Sequence, residues 1–138
     1  MSHSETTFNE AAVWPAIKFA LYAMTKNNRR LKFFPGEDRL RSMSVQLEAN
    51  RLGDDLRACY KADAILRCPK LHNEMEILLL ETSNAFNTAD QPKISFDFHK
   101  GVYGSLSMLK TIADLYQYAN FQIMTKLRVY FVHAHSKS

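Results

Sequence analysis

Asp63 and Glu81 are the residues best placed to do chemistry together. Asp63 stands in Lys61-Ala-Asp63-Ala-Ile-Leu, and Glu81 in Glu76-Ile-Leu-Leu-Leu-Glu81-Thr-Ser83. Both runs have strand character, and Pro69 and Asn73 flank a loop tip between them. If that loop is centred on His72, Asp63 opposes Glu81 and Lys61 opposes Ser83. In each strand these residues are two apart, so all four point to one face. Opposed Cβ atoms lie roughly 4.5–5.5 Å apart in such a pair. Two carboxylates that close repel each other, so either one is protonated or a cation sits between them. A hard divalent ion such as Mg²⁺ takes one or two carboxylates and completes its shell with water and phosphate oxygens. An ammonium nearby could hold or activate a water, and Lys61 is the amine this geometry offers. A slip of one residue would instead send the two acids to opposite faces. Asp63 would then be an exposed strand residue, and Glu81 the end of a core strand.

The surrounding periodicity sets the elements that must hold these groups. Val13, Ile17, Ala20, Leu21 and Met24 recur at helical spacing over about Phe8–Met24. Pro15 fits best in a first turn, and Asn27-Asn28 ends the helix. Phe33-Phe34-Pro35-Gly36 reads as a turn, with Glu37 and Asp38 at the start of a second helix. Leu40, Met43, Leu47 and Leu52 are its buried stripe, and Gly53-Asp54-Asp55 its end. Ala58–Arg67 is a strand. The aliphatic run Ile77–Leu80 marks the next strand as central, buried on both faces. After a polar loop, a long helix covers about Ser95–Tyr118, with Val102, Leu106, Leu109, Ala113 and Tyr116 on one stripe. Gly101 and Gly104 weaken it by about 1 kcal/mol each relative to Ala, which points to close backbone packing, against the central strand. Asn120 can cap one more turn. Leu127–His133 is the last strand. The middle strands should pair antiparallel, and the last two, joined by a crossover helix, parallel. The fold class is α/β: a small mixed sheet of three to four strands flanked by helices.

Composition bounds the rest. The chain has 138 residues, 46% of them hydrophobic and 23% charged. That is room for a single domain, residues 1–138, with 1–7 frayed. No apolar run approaches membrane-spanning length, so no membrane partner is expected. No secretory signal is visible, and Cys59 and Cys68 make no disulfide framework, so an intracellular setting is the default. The net charge of +4 is compatible with a polyanion. Lys26–Lys32, followed by Arg39 and Arg41, is either a solvated linker or a phosphate-contacting basic surface that would weaken with salt.

The order of these pieces resembles the core of the PD-(D/E)XK nuclease superfamily. There an acidic helix leads to a strand carrying Asp, a hairpin, an aliphatic strand ending in Asp/Glu-x-Lys, a helix and a parallel strand. The matching pieces are the Asp63 and Glu81 strands, Asp97-Phe-His-Lys100-Gly and Leu127–His133, within about residues 40–135. The wording around Glu81 and Lys100 also resembles nuclease-like proteins of early-diverging fungi. The resemblance implies a restriction-endonuclease-like core, Mg²⁺ as cofactor, and hydrolysis of phosphodiester bonds in nucleic acid. It implies Asp63 and Glu81 as metal ligands, with Glu48 matching an acid that some members place on the first core helix. Ser83 stands where the family has lysine. Lys61 across the hairpin or Lys100 from the helix could replace it. If neither reaches, the domain is an inactive copy that binds nucleic acid or protein. Members often add elements after the last strand, so an incomplete C-terminal end, and an edge strand that pairs with another chain or a second copy, are further expectations.

Weaker signals fall to packing or solvent. His133-Ala-His135 puts two imidazoles on one strand face, but two ligands make no site without a third. His72 is a loop residue and His99 a helix-surface one. Tyr103, Tyr116 and Tyr118 read as packing.

Overall fold

The computed structural model describes residues 5–24, 31–51, 60–69, 74–83 and 90–135. An N-terminal helical run comprises α1 (Glu5–Phe8), a π-helical segment (Asn9–Val13) and α2 (Trp14–Met24). Then follow β1 (Lys32–Arg39), α3 (Arg41–Ala49), β2 (Lys61–Cys68), β3 (Met75–Ser83), α4 (Gln91–Leu115), α5 (Phe121–Met124) and β4 (Tyr130–His135). The sheet order is β1-β2-β3-β4. β1, β2 and β3 are antiparallel neighbours, and β4 runs parallel to β3 after the α4 crossover. The chain is thus a mixed α/β fold with a four-stranded sheet flanked by helices. No helix among the described residues is long and apolar enough to cross a membrane.

The hairpin register matches a loop centred on His72 at Ala64–Leu80, Ile65–Leu79 and Leu66–Leu78, then slips by one at Arg67–Glu76. His72 itself, Cys59, the run from Lys26 to Arg30, Leu52 and Gly53-Asp54-Asp55 lie outside the described residues. β1 departs from the turn expected there. Phe33-Phe34-Pro35-Gly36 is strand, not turn, and the helix after it begins only at Arg41. A proline is tolerated because β1 lies at the sheet edge. Gly36, at φ 91°, sits inside a register shift between Pro35 and Asp38, where its freedom at positive φ is needed. Thr7 and its neighbours, expected to fray, are helical from Glu5. Pro15 does sit in the first turn of α2, and the helix widens just before it, with the Trp14 N–H reaching back to the Asn9 carbonyl.

The face α4 presents to the sheet is a second correction. Val102, Leu106, Leu109 and Tyr116 are exposed, whereas Asp97, Gly101, Gly104, Ser107, Met108 and Ile112 are buried. The inward face is chosen by small residues, because they let the helix backbone approach the strands. A Cβ on Gly104 would lie 2.7 Å from Leu79 of β3, and one on Gly101 would overlap the Phe131 ring of β4. The core beneath is Leu40, Tyr60, Ala62, Ile65, Leu79 and Met108, with Met43, Val129 and Phe131 at its margin. Asp90 caps α4 by accepting from the Lys93 N–H, and Asn120 caps α5 by accepting from the Gln122 N–H.

At the other end of β3 a buried ion pair closes the sheet. Arg67 and Glu76 are 1% and 3% exposed and meet at 3.1 Å. Glu76 also accepts from the Arg41 and Ser42 N–H groups and from the Ser42 hydroxyl. It thereby caps α3, whose own N-cap residue, Leu40, has no side-chain acceptor.

Replacing Gly101 by Ala removes about 1 kcal/mol of helix penalty. Crowding of Phe131 costs more, typically about 1–3 kcal/mol. Urea unfolding of Gly101→Ala should therefore show a net loss of stability of about 1 kcal/mol. A gain would contradict the close approach of α4 to β4.

Candidate functional site

The site lies at the C-terminal ends of the parallel pair β3 and β4, the edge of an α/β sheet where ligands usually bind. Glu81 is 2% exposed there. Its Oε1 accepts from the Tyr60 hydroxyl at 2.6 Å, and its Oε2 from Lys100 Nζ at 3.1 Å. Lys100 also donates to the Lys61 carbonyl at 2.8 Å and lies 4.6 Å from the centre of the Tyr60 ring. The crossover helix delivers this ammonium because Gly101 and Gly104 bring it close to the sheet.

Asp63 is half-buried on β2. Its Oδ2 accepts from the Thr82 N–H at 2.7 Å, beyond the last paired rung at Ala64–Leu80. Oδ1 receives no hydrogen bond from the described residues. Burial pushes the Asp63 carboxyl above its ordinary range, against the Thr82 hydrogen bond and the Lys100 charge, with Glu5 and Asp97 adding to the rise. Burial likewise pushes Glu81 up to about 7, against the Tyr60 hydrogen bond and the Lys100 charge, and Asp63 reinforces the rise. Tyr60 is held protonated by burial and by the carboxylate it serves. The result is a pair of coupled acids with one ammonium.

Ser83 continues the strand inward and is fully buried. Its hydroxyl donates to Asp97 Oδ2 at 2.7 Å and lies 2.8 Å from His133 Nε2. With its one proton given to Asp97, Ser83 can only accept from His133, which fixes an Nε2–H imidazole. Burial, with His135 alongside, lowers the His133 pKa. Lys93 joins Asp97 to Glu5 at the start of α4.

The structure therefore brings Asp63, Glu81 and Lys100 together. The exposed Lys61 contributes its carbonyl, and no ion pair of its side chain is present among the described residues. Glu48 is not brought in. It is exposed on α3, a helix whose Gln46 contacts Thr111 and Asp114 of α4. Thr111 lies roughly 16 Å along α4 from Lys100 at the helical rise. Tyr60 and the Ser83–His133 contact are missing from the sequence reading, where Asp97 has a place in the helix segment but no role. Only the strand parity of Glu81 and Ser83, and the spacing of Asp97 and Lys100 by three on a helix, hint at them. A groove of about 560 Å³ between α3 and the C-terminal half of α4 shares no lining residue with this cluster.

Among the described residues no three His, Cys, Asp or Glu form a ready-made metal cage. The donor chemistry nevertheless fits Mg²⁺, which needs only one or two carboxylates when water and phosphate supply the rest. Among the described residues Asp63 Oδ1 has no donor, and the two acids repel each other in the absence of a further cation. Comparison with known protein families, curated proteins and solved structures finds no match for this chain.

The raised Glu81 pKa fixes a sign. Between its ordinary value of 4.5 and about 7 the folded chain keeps a proton that the unfolded chain has released. Stability must therefore fall as pH rises through this window, by up to about 3 kcal/mol. Urea titrations across the window should show a shallower slope for Glu81→Gln than for wild type. Identical slopes would remove Glu81 as the cause.

Proposed function

We propose that this chain is a nuclease-like domain of the PD-(D/E)XK kind that hydrolyses phosphodiester bonds with Mg²⁺. The observation that carries the reading is the Lys100–Glu81 contact at the end of β3, beside Asp63 of the neighbouring strand. The strand order supports it too: three antiparallel strands, a crossover helix and a parallel fourth.

In this reading Asp63 and Glu81 hold the metal, and Glu48 has no part. Bound there, Mg²⁺ would draw charge from the phosphate and acidify a water. Glu81 must be deprotonated to serve, so Mg²⁺ binding should strengthen as pH rises through about 7. Lys100 neutralises Glu81 and places an ammonium where the family's strand lysine is absent. Tyr60 fixes the orientation of the Glu81 carboxylate. Nucleic acid is the partner, through the basic surface.

One observation favours a second reading, a non-catalytic module on the same fold. Both Glu81 oxygens already have donors, and Ser83, at the lysine position, is committed to Asp97 and His133.

Cleavage of plasmid and single-stranded DNA with Mg²⁺ separates the two. Asp63→Ala and Glu81→Ala should each lower the rate by about a hundredfold or more, and Lys100→Ala by at least about tenfold. Lys61→Ala should stay within about twofold of wild type. Equal rates in all variants would refute the assigned site. No Mg²⁺-dependent cleavage, with salt-sensitive binding that survives Asp63→Ala, would establish the non-catalytic module.

A further inference from the structure

We propose that the outer face of α4 pairs with α4 of a second copy of this chain, antiparallel about a two-fold axis, to form a reversible homodimer. The pairing is independent of the metal reading and goes beyond it.

α4 is apolar on the side that faces water. The sheet and α3 take up its inner side, through Gly101 against Phe131, Gly104 against Leu79 and Ser107 against Met43. A helix on a protein surface normally turns charged and polar side chains outward. Here the outward side carries Val102, Tyr103, Leu106 and Leu109, with Leu106 55% and Tyr103 64% exposed. Single exposed apolar residues need no explanation, but a continuous row of them marks an interaction surface.

The spacing of the row names the occupant. His99, Val102, Leu106, Leu109, Ala113 and Tyr116 follow one another on α4 in alternating steps of three and four. That alternation is the 3.5-residue repeat of a coiled-coil seam, which stays in contact only with a helix that carries the same repeat. A second α4 supplies it. Run in the opposite direction, it sets His99 against Tyr116, Val102 against Ala113 and Leu106 against Leu109, and the two-fold axis repeats each pair. The six layers span about 26 Å at the helical rise. A parallel pairing would instead stack Tyr116 on itself and Ala113 on itself, crowding one layer and leaving a void in the other.

The charges agree with the antiparallel arrangement. None of the six seam residues is Asp, Glu, Lys or Arg, the depletion expected at the centre of a protein interface. Lys110, on the flank of the seam, is paired with Asp114 of its own helix. Antiparallel pairing sets this ammonium beside Tyr103 of the second copy, an aromatic face that attracts a cation. One helix pair of this length lies at the small end of specific interfaces, so the dimer should dissociate with a Kd on the order of 10 µM.

Sedimentation equilibrium of the full chain tests this, and should show reversible association toward twice the chain mass of 15.9 kDa. Leu106→Lys places a charge at the middle of the seam, at an exposed position. It should weaken association at least about tenfold with an unchanged circular dichroism spectrum. Val102→Cys mixed with Ala113→Cys should form a disulfide between copies faster than either variant alone, with wild type as the control for the native cysteines. A strict monomer up to about 200 µM would overturn the proposal. So would association indifferent to Leu106→Lys, which would move the contact to another surface such as the β4 edge. Cross-linking of Val102→Cys with itself as fast as with Ala113→Cys would overturn the antiparallel arrangement.

Discussion

The structure turns on one buried acid, Glu81, whose ionisation is opposed by burial and eased by Lys100. Glu81 closes the central strand at a point with almost no access to solvent, and a carboxylate there is costly unless a cation answers it. Lys100 gives that answer from α4, and it reaches only because two glycines let the helix lie against β3 and β4. Side chain, helix position and glycine spacing are one constraint. Shifting α4 outward to fit a larger residue would withdraw the ammonium and leave the acid uncompensated.

Both ends of β3 carry a buried carboxylate, and the contrast between them is informative. Glu76 receives two backbone N–H groups, a hydroxyl and a guanidinium, which accounts for the roughly four acceptor positions of a carboxylate. It is a structural group, joining the sheet to α3. Among the described residues, Glu81 receives two donors, and Asp63 beside it receives one. Spare acceptor capacity at two neighbouring acids is what a bound cation requires. The same strand thus closes its structure at one end and keeps its chemistry open at the other.

Much of this was legible in the residues. The four-aliphatic run Ile77–Leu80 identified the central strand, and an assumed loop centre at His72 matches the hairpin register over Ala64–Leu66 but not at Arg67, where it slips by one. The length of the segment between Glu81 and Leu127 required a crossover helix. The edge strand β1 was hidden because Pro35-Gly36 carries the chemistry of a turn, and only its edge position, a tertiary fact, makes the pair tolerable in a sheet. The inward face of α4 was hidden for the opposite reason: its apolar residues point outward, and the helix docks through glycine and serine. Arg67 and Glu76 look like solvated strand ends until the fold places them against each other. The bond from His133 to Ser83 joins residues fifty apart, and no local pattern announces it.

The most direct test is a carboxyl-detected NMR titration of Glu81, with and without Mg²⁺. The account predicts a midpoint near 7 in the metal-free protein, moving several tenths of a unit or more downward when Mg²⁺ is added, because proton and metal compete for the same oxygens. A midpoint at the ordinary carboxylate value, indifferent to Mg²⁺, would contradict it.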